Sequence, residues 1–320
     1  MKKLRIEETA RFLLEHDSFA ILTHRRPDGD TIGSSAALCH ALRKLGKRAH
    51  VIENREVTAR FAWLHEGLTK KEAEEGDTII TVDVASPGML PEQFQKYLGR
   101  IALRIDHHAS STSFTDNELV LPEWAACAEI IADLLSPLNH GEMEQPLADA
   151  IYVGVSTDTG CFRFANTTAH TFFVAAACAS AGARVYQLNQ ELFETNPLGR
   201  LRIQAWIVEN IRMMKGGTLA ICAIPRAVEQ ELGVTEDDMD NISSFPRTVA
   251  GVCLASTLRE TKEGDVKLSV RAIPGYDATV LTARFGGGGH KGAAGATLKM
   301  TLEEAAKAVE EAMLNLYHLR

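Results

Sequence analysis

The residues most able to do chemistry lie at the ends of apolar runs. The first group reads His24-Arg-Arg-Pro-Asp28-Gly-Asp30-Thr-Ile-Gly33-Ser34 and sets one imidazole beside two carboxylates. Asp83 closes the run TIITV, Asp106-His107-His108 closes IALRI, and Asp158 follows IYVGVS in Ser156-Thr-Asp-Thr-Gly160. So many carboxylates cannot all stay ionised side by side, because like charges raise one another's pKa, unless a multivalent cation sits among them. Oxygen-rich donors with a minority of imidazole and no thiolate suit a hard or borderline ion, Mn²⁺ ahead of Mg²⁺, Co²⁺ or Fe²⁺, over a structural zinc. Six or more such ligands support two ions that share a carboxylate, the arrangement of two-metal phosphoester hydrolysis.

Taken singly, an aspartate in a strand-to-helix loop is a cap or turn residue. Polar turns do not explain acids and imidazoles at the end of every strand candidate, and their joint occurrence favours a catalytic metal site. His16, His40, His50, His65, His140, His170 and His318 carry no such pattern and read as surface or core residues.

Near the C-terminus stands Gly286-Gly-Gly-Gly-His290-Lys-Gly-Ala-Ala-Gly295. It follows a helical stretch and precedes a strand-like one, the reverse of a dinucleotide fingerprint, and Lys291 lacks the neighbours of a phosphate-binding P-loop. The run therefore reads as a loop whose backbone approaches a ligand closely, with amides, His290 and Lys291 offered to an anion. Arg271 shares a strand face with Lys267 and Ser269, opposite the apolar set.

The elements that must position these groups follow from the pattern. Ser18 to Thr23 predicts a strand, and Gly33 to Leu45 a helix stopped by Gly46. Further strands are predicted at Thr78 to Val82 and Ile101 to Ile105, while the length of Ile151 to Ser156 suits either a strand or a helix. The alternation predicts an α/β domain with a mostly parallel sheet over residues 1–186, its acids converging on the carboxyl edge where such sheets bind ligands. The polar segment 187–200, ending in Asn-Pro and Gly, reads as a hinge. Beyond it, residues 201–320 predict a smaller α+β domain: a helix over Leu201 to Met213, strands at Thr218 to Ile224, Val249 to Leu258, Val266 to Ala272 and Ala294 to Leu298, and a closing helix over Leu302 to Leu316.

The 320 residues suffice for two cores, and 45% hydrophobic with 24% charged content excludes a disordered chain. A net charge of −8 argues against a groove for long nucleic acid, while leaving room for a small anion at one pocket. The longest apolar run, FFVAAACA, is too short for a membrane span, and the N-terminus lacks an apolar signal core, so a cytoplasmic protein without membrane contact is expected. The six scattered cysteines read as reduced core residues.

Together, the HxxPDxDxxGS stretch at His24 to Ser34, Asp83, the Asp106-His107-His108 triplet and the Asp158-Thr-Gly160 turn resemble the four motifs of the DHH phosphoesterase family, which includes the RecJ-like exonucleases. The glycine run resembles the signature of that family's associated C-terminal domain, so the likeness spans nearly the whole chain. Within the family, the compact two-domain chain is similar to the bacterial type that acts as nanoRNase and 3′-phosphoadenosine-5′-phosphate phosphatase. The resemblance implies two divalent metal ions, one held by His24, Asp28 and Asp83 and the other by Asp30, Asp83, His107 and Asp158. It implies Asp106 behind a histidine, His108 facing the substrate phosphate, and substrate contacts from Arg271, Gly288, Gly289 and His290. The implied activity is hydrolysis of very short RNA oligonucleotides and small nucleotides by two-metal-activated water. A homodimer is compatible with this reading. A phosphodiesterase of cyclic di-AMP or linear dinucleotides needs the same metals, and an inorganic pyrophosphatase would carry a basic clamp in place of the glycine loop. From another class, a non-catalytic nucleotide sensor would not require the complete ligand set.

Overall fold

Five-residue apolar runs that cannot face water form the centre of the first sheet. In the computed structural model, which describes residues 2–317 except Asp237 and Asp240, the chain divides into two units, Met1–Thr195 and Asn196–Arg320. His318 lies outside the described residues. The first unit carries β1 (Lys2–Lys3), β2 (Ser18–Leu22), β3 (Arg48–Ile52), β4 (Thr69–Lys70), β5 (Thr78–Val82), β6 (Ile101–Asp106) and β7 (Asn117–Val120). They form an all-parallel sheet in the order β1-β7-β6-β5-β2-β3-β4. Its helices are α1 (Ile6–Glu15), α2 (Gly29–Lys44), the single turn α3 (Ala59–Ala62), α4 (Cys127–Asn139), α5 (Gln145–Asp158), α6 (Ala169–Ser180) and α7 (Val185–Asn189). From β2 the chain proceeds outward to β3 and β4, then crosses back to β5 on the other flank of β2. The strand order reverses between β2 and β5, and a crevice opens there at the carboxyl ends.

Two sequence expectations resolve differently from their strand or loop readings. Ile151 to Ser156 lies inside α5, a helix that starts with proline in its first turn and is buried from Leu147 through Ser156. A helix buried all round shows the same unbroken apolar run as a buried strand. It packs against α2, where a Cβ at Gly33 would stand 2.4 Å from Ala150 O, so only glycine allows this approach. Helix α2 begins at Gly29 rather than Gly33, because the Asp28 carboxylate caps it by accepting from the N–H groups of Asp30 and Thr31.

The stretch read as a hinge starts inside the first unit: residues 187–194 are helical, with Leu188 and Leu192 buried in its core. The second unit carries α8 (Leu198–Asn210), β8 (Arg212–Met214), β9 (Leu219–Ile224), α9 (Arg226–Glu231), β10 (Leu254–Glu260), β11 (Val266–Ala272), α10 (Ala278–Ala283), β12 (Gly288–His290), β13 (Ala293–Leu298) and α11 (Leu302–Leu316). The sheet order is β12-β13-β11-β10-β9-β8, with β9 and β10 parallel and the other pairs antiparallel. Alternation puts Val266, Leu268 and Val270 into a core with Leu281, Val309 and Met313, and places Ile203 and Ile207 of α8 against Cys222 and Ile224 on the other face. Strand β10 starts later than expected, at Leu254, because residues 242–248 form a 3₁₀ segment and Gly251 turns at φ +86°. All six cysteines are free, and Cys39, Cys127, Cys178 and Cys222 are buried. Among the described residues no helix is long and apolar enough to cross a membrane.

Candidate active site

The loop after β2 delivers His24 to the crevice. Asn54 fixes that loop by donating from Nδ2 to His24 O at 2.9 Å and to Thr23 Oγ1 at 3.0 Å. His24 Nδ1 donates to Arg25 O at 2.8 Å, which turns Nε2 toward Asp28 at 3.5 Å and Asp83 at 3.4 Å. Although burial opposes its charge, those carboxylates push His24 up to about 11.

Asp30 is fully buried in the first turn of α2. Its Oδ2 accepts from Cys127 N–H at 2.6 Å, and its Oδ1 from Ala128 N–H at 2.9 Å and Ser34 Oγ at 3.1 Å. The carboxylate thus sits on the exposed N–H groups that open α4, where a negative charge is favoured. Burial first, and the charge of Asp83 next, nevertheless raise Asp30 to about 7.

Asp83 follows β5 in left-handed backbone, φ +59°, a conformation that costs a non-glycine residue about 1–3 kcal/mol and gathers at functional sites. Its Oδ2 faces His24, while Oδ1 lies 3.5 Å from His107 Nε2 and 3.5 Å from His108 Nδ1. Oδ1 is buried and meets no hydrogen-bond donor among the described residues. Burial raises the Asp83 carboxyl, and Asp158 is raised by burial and by the charges of Asp30 and Asp83.

After β6 the two adjacent histidines diverge. His107 Nδ1 donates to Trp124 O at 3.2 Å, and Nε2 turns toward Asp158 at 3.3 Å, Asp83 at 3.5 Å and Asp30 at 3.8 Å. His108 instead donates Nδ1 to Asp106 Oδ1 at 2.7 Å. That bond, against the cost of burial, pushes His108 up to about 9. Asp158 ends α5 rather than a strand, and Asn166 ties its carbonyl to that of Ala125, each at 3.1 Å.

Among the described residues three sets emerge whose ligand atoms lie within 4.8 Å of one another: His24, Asp28 and Asp83; Asp30, His107 and Asp158; and Asp83, His107 and His108. Two imidazoles with Nδ1 committed to carbonyls and Nε2 turned inward, an acceptor without a donor on Asp83, and carboxylates forced toward protonation form a donor set that fits divalent cations. The model of the DHH family, N-terminal domain, matches residues 18–155, and that of the DHHA1 domain matches residues 217–315. The bifunctional oligoribonuclease and PAP phosphatase NrnA of Thermus thermophilus is 34% identical over 92% of this chain and 88% of its own. The chain belongs to the DHH family. The enzyme of the same name from Bacillus subtilis is 25% identical over 91% of this chain and 92% of its own. In fold, this DHH chain resembles an exopolyphosphatase-related protein from Bacteroides fragilis, with a TM-score of 0.89, 24% identity, and 97% and 95% of the two chains covered.

Residues not anticipated from the sequence complete the DHH site. Arg104 is buried between Asp106, 3.4 Å away, and Glu118, at 3.3 Å, and donates to Ala85 O at 3.1 Å. A lone charge inside an apolar strand of a buried parallel sheet is the signal that it must be paired. Asn54, Cys127 and Ala128 carry no such mark, because their contacts to the site are remote in sequence.

In the second unit Arg271 and His290 both pair in register with Ala293, from opposite sides, and directly opposed residues of antiparallel strands project to one face. Arg271 Nε donates to Ser244 Oγ at 3.2 Å. The glycine run is in part a strand, not a free loop. At Gly289, φ +141°, a Cβ would lie 2.7 Å from Ala293 O, so the close approach it permits is to β13. Gly288 has open space where a Cβ would project.

Proposed function

We propose that this chain is a metal-dependent phosphoesterase that hydrolyses very short oligoribonucleotides and 3′-phosphoadenosine-5′-phosphate. The observation that carries the reading is the division of Asp83: one oxygen faces His24 and the other faces His107, so a single carboxylate serves two donor sets. The activity printed for the Thermus thermophilus relative supports the substrate class.

Two divalent ions, Mn²⁺ foremost, would be held by His24, Asp28 and Asp83 and by Asp30, Asp83, His107 and Asp158, and would supply Lewis acidity and activate water for attack on phosphorus. The backbone N–H groups of Cys127 and Ala128 hold Asp30 in one orientation before any ligand arrives. His108, whose charged form the Asp106 carboxylate favours, would offer Nε2–H to the phosphoryl oxygens while Nδ1–H donates to Asp106. Arg271 and His290, with the amides of Gly288 and Gly289, are the candidates to bind substrate phosphate and base.

The purified chain, incubated with Mn²⁺ and separately with diadenylate, 3′-phosphoadenosine-5′-phosphate and cyclic di-AMP, tests this. The expected result is hydrolysis of the first two with kcat/KM well above that for the cyclic dinucleotide, abolished by EDTA. Turnover of cyclic di-AMP alone, or of none, contradicts it.

A further inference from the structure

Positive charge stands unpaired beside the acids of the crevice. The loop after β2 places Arg25 and Arg26 between His24 and Asp28, and the loop after β3 carries Arg55 next to Asn54, which donates to His24 O. All three arginines are exposed. Since an extended chain advances at most about 3.6 Å per residue, the Cα atoms of Arg25 and Arg26 each lie within about 7 Å of that of His24.

Hydrogen bonds lock the two loops together. Asn54 Oδ1 accepts from Glu56 N–H at 3.0 Å, and Glu56 Oε2 accepts from Arg26 N–H at 2.7 Å. The residues on both sides of Arg55 therefore grip the segment that bears Arg25 and Arg26, and the three form one patch. Arg25 N–H is tied in turn to Met89 O at 2.7 Å. Arg26 is left-handed, φ +49°, a strained conformation of the kind that gathers at functional sites.

Guanidinium groups so near carboxylates ordinarily pair with them. Among the described residues, these three have no side-chain hydrogen bond or ion pair. Asp28, Asp83 and Asp158 face imidazoles and Asp30 accepts from backbone N–H groups, so none of these acids neutralises an arginine. Of the acids on the second loop, Glu53 and Glu56, the latter is engaged by the Arg26 amide.

We propose that Arg25, Arg26 and Arg55 form an anion subsite at the mouth of the crevice, which takes a phosphate of the substrate chain other than the one being hydrolysed. The subsite rests on the proposed phosphoesterase activity. Guanidinium presents paired N–H donors that match phosphate, and it keeps its charge at any working pH. A dinucleotide without terminal phosphates has only the reacting phosphate and leaves the patch unused. A trinucleotide brings a second phosphate to it.

Initial rates of loss of diadenylate and triadenylate, both without terminal phosphates, test this with the full chain and Mn²⁺. For wild type, kcat/KM is expected to be about fivefold or more higher on triadenylate, with the gain shrinking as salt is raised. In the combined variant Arg25→Gln, Arg26→Asn and Arg55→Gln the ratio is expected to approach one; asparagine suits the left-handed position 26. The ratio compares two substrates on one protein, so a loss of folded or metal-loaded enzyme cancels from it. Arg55→Gln alone is expected to lower the ratio about twofold or more, and it decides if a thermal melt shows the combined variant unfolded. A wild-type ratio of one, or a ratio indifferent to the folded variants, overturns the subsite and leaves the phosphoesterase activity standing. Turnover of neither substrate by wild type overturns both.

Discussion

His108 donates its Nδ1 proton to Asp106 across 2.7 Å, whereas the neighbouring His107 gives its Nδ1 to a backbone carbonyl and faces Asp83, Asp30 and Asp158 with Nε2. Two adjacent imidazoles are therefore fixed for different tasks by their second nitrogen. Asp106→Asn keeps the shape but removes the carboxylate that favours a protonated His108. Its kcat should fall about 10–100-fold while the Mn²⁺ content stays near wild type. In the metal-free protein, NMR titration should move His108 from about 9 toward 6.5. Loss of metal from this variant would make Asp106 a ligand instead.

Metal uptake should depend on pH. Asp30 has a folded value of about 7 against an ordinary 3.8, so between those values the folded chain binds more protons than the unfolded one. This contribution to metal-free stability is fully present below about 3.8, shrinks between the two values and is lost as pH rises through about 7. Cation binding requires the ionised carboxylate, so the rise in Tm produced by Mn²⁺ should be larger at pH 8 than at pH 6. Thermal melts with and without Mn²⁺ at both values check it, and equal gains would contradict the assignment of Asp30 as a ligand.

Arg104 balances two buried acids. Arg104→Met leaves Asp106 and Glu118 without their cation in a site closed to water, and should cost about 3–5 kcal/mol of unfolding free energy. Urea denaturation measures this. A change below 1 kcal/mol would mean that neither carboxylate depends on the guanidinium.

The proposed function makes substrate length depend on where positive charge is available. With a net charge of −8, each nucleotide beyond the first few is expected to add phosphate without adding a contact, so dinucleotides should be cut with higher kcat/KM than strands of about twenty. Arg271→Ala should lower kcat/KM on the dinucleotide about 10–150-fold, the worth of one charge-assisted contact, with Mn²⁺ content unchanged. A flat or rising profile from two nucleotides to twenty would point to a groove for long strands.

Much of this site is legible in the sequence because β2, β5 and β6 each end where an apolar run meets an acid or imidazole. The central crevice follows from those breaks. The edge of the sheet was not legible: β1 and β4 are two residues long, and β3, RAHVI, interrupts its apolar residues with Arg48 and His50. Helix α5 could be read either way, since burial on every side erases the helical period. The anchoring of Asp30 by Cys127 and Ala128 joins parts of the chain nearly a hundred residues apart, and no local pattern announces it. The glycines after Gly286 suggested a ligand loop, yet at Gly289 the close neighbour is the backbone of β13.

The most direct measurement is anomalous diffraction at the manganese absorption edge from crystals of the full chain grown with Mn²⁺. The expected result is two peaks, one against His24, Asp28 and Asp83 and the other against Asp30, His107 and Asp158, with Asp83 touching both. A single peak, or a pair that leaves Asp83 untouched, would contradict the account.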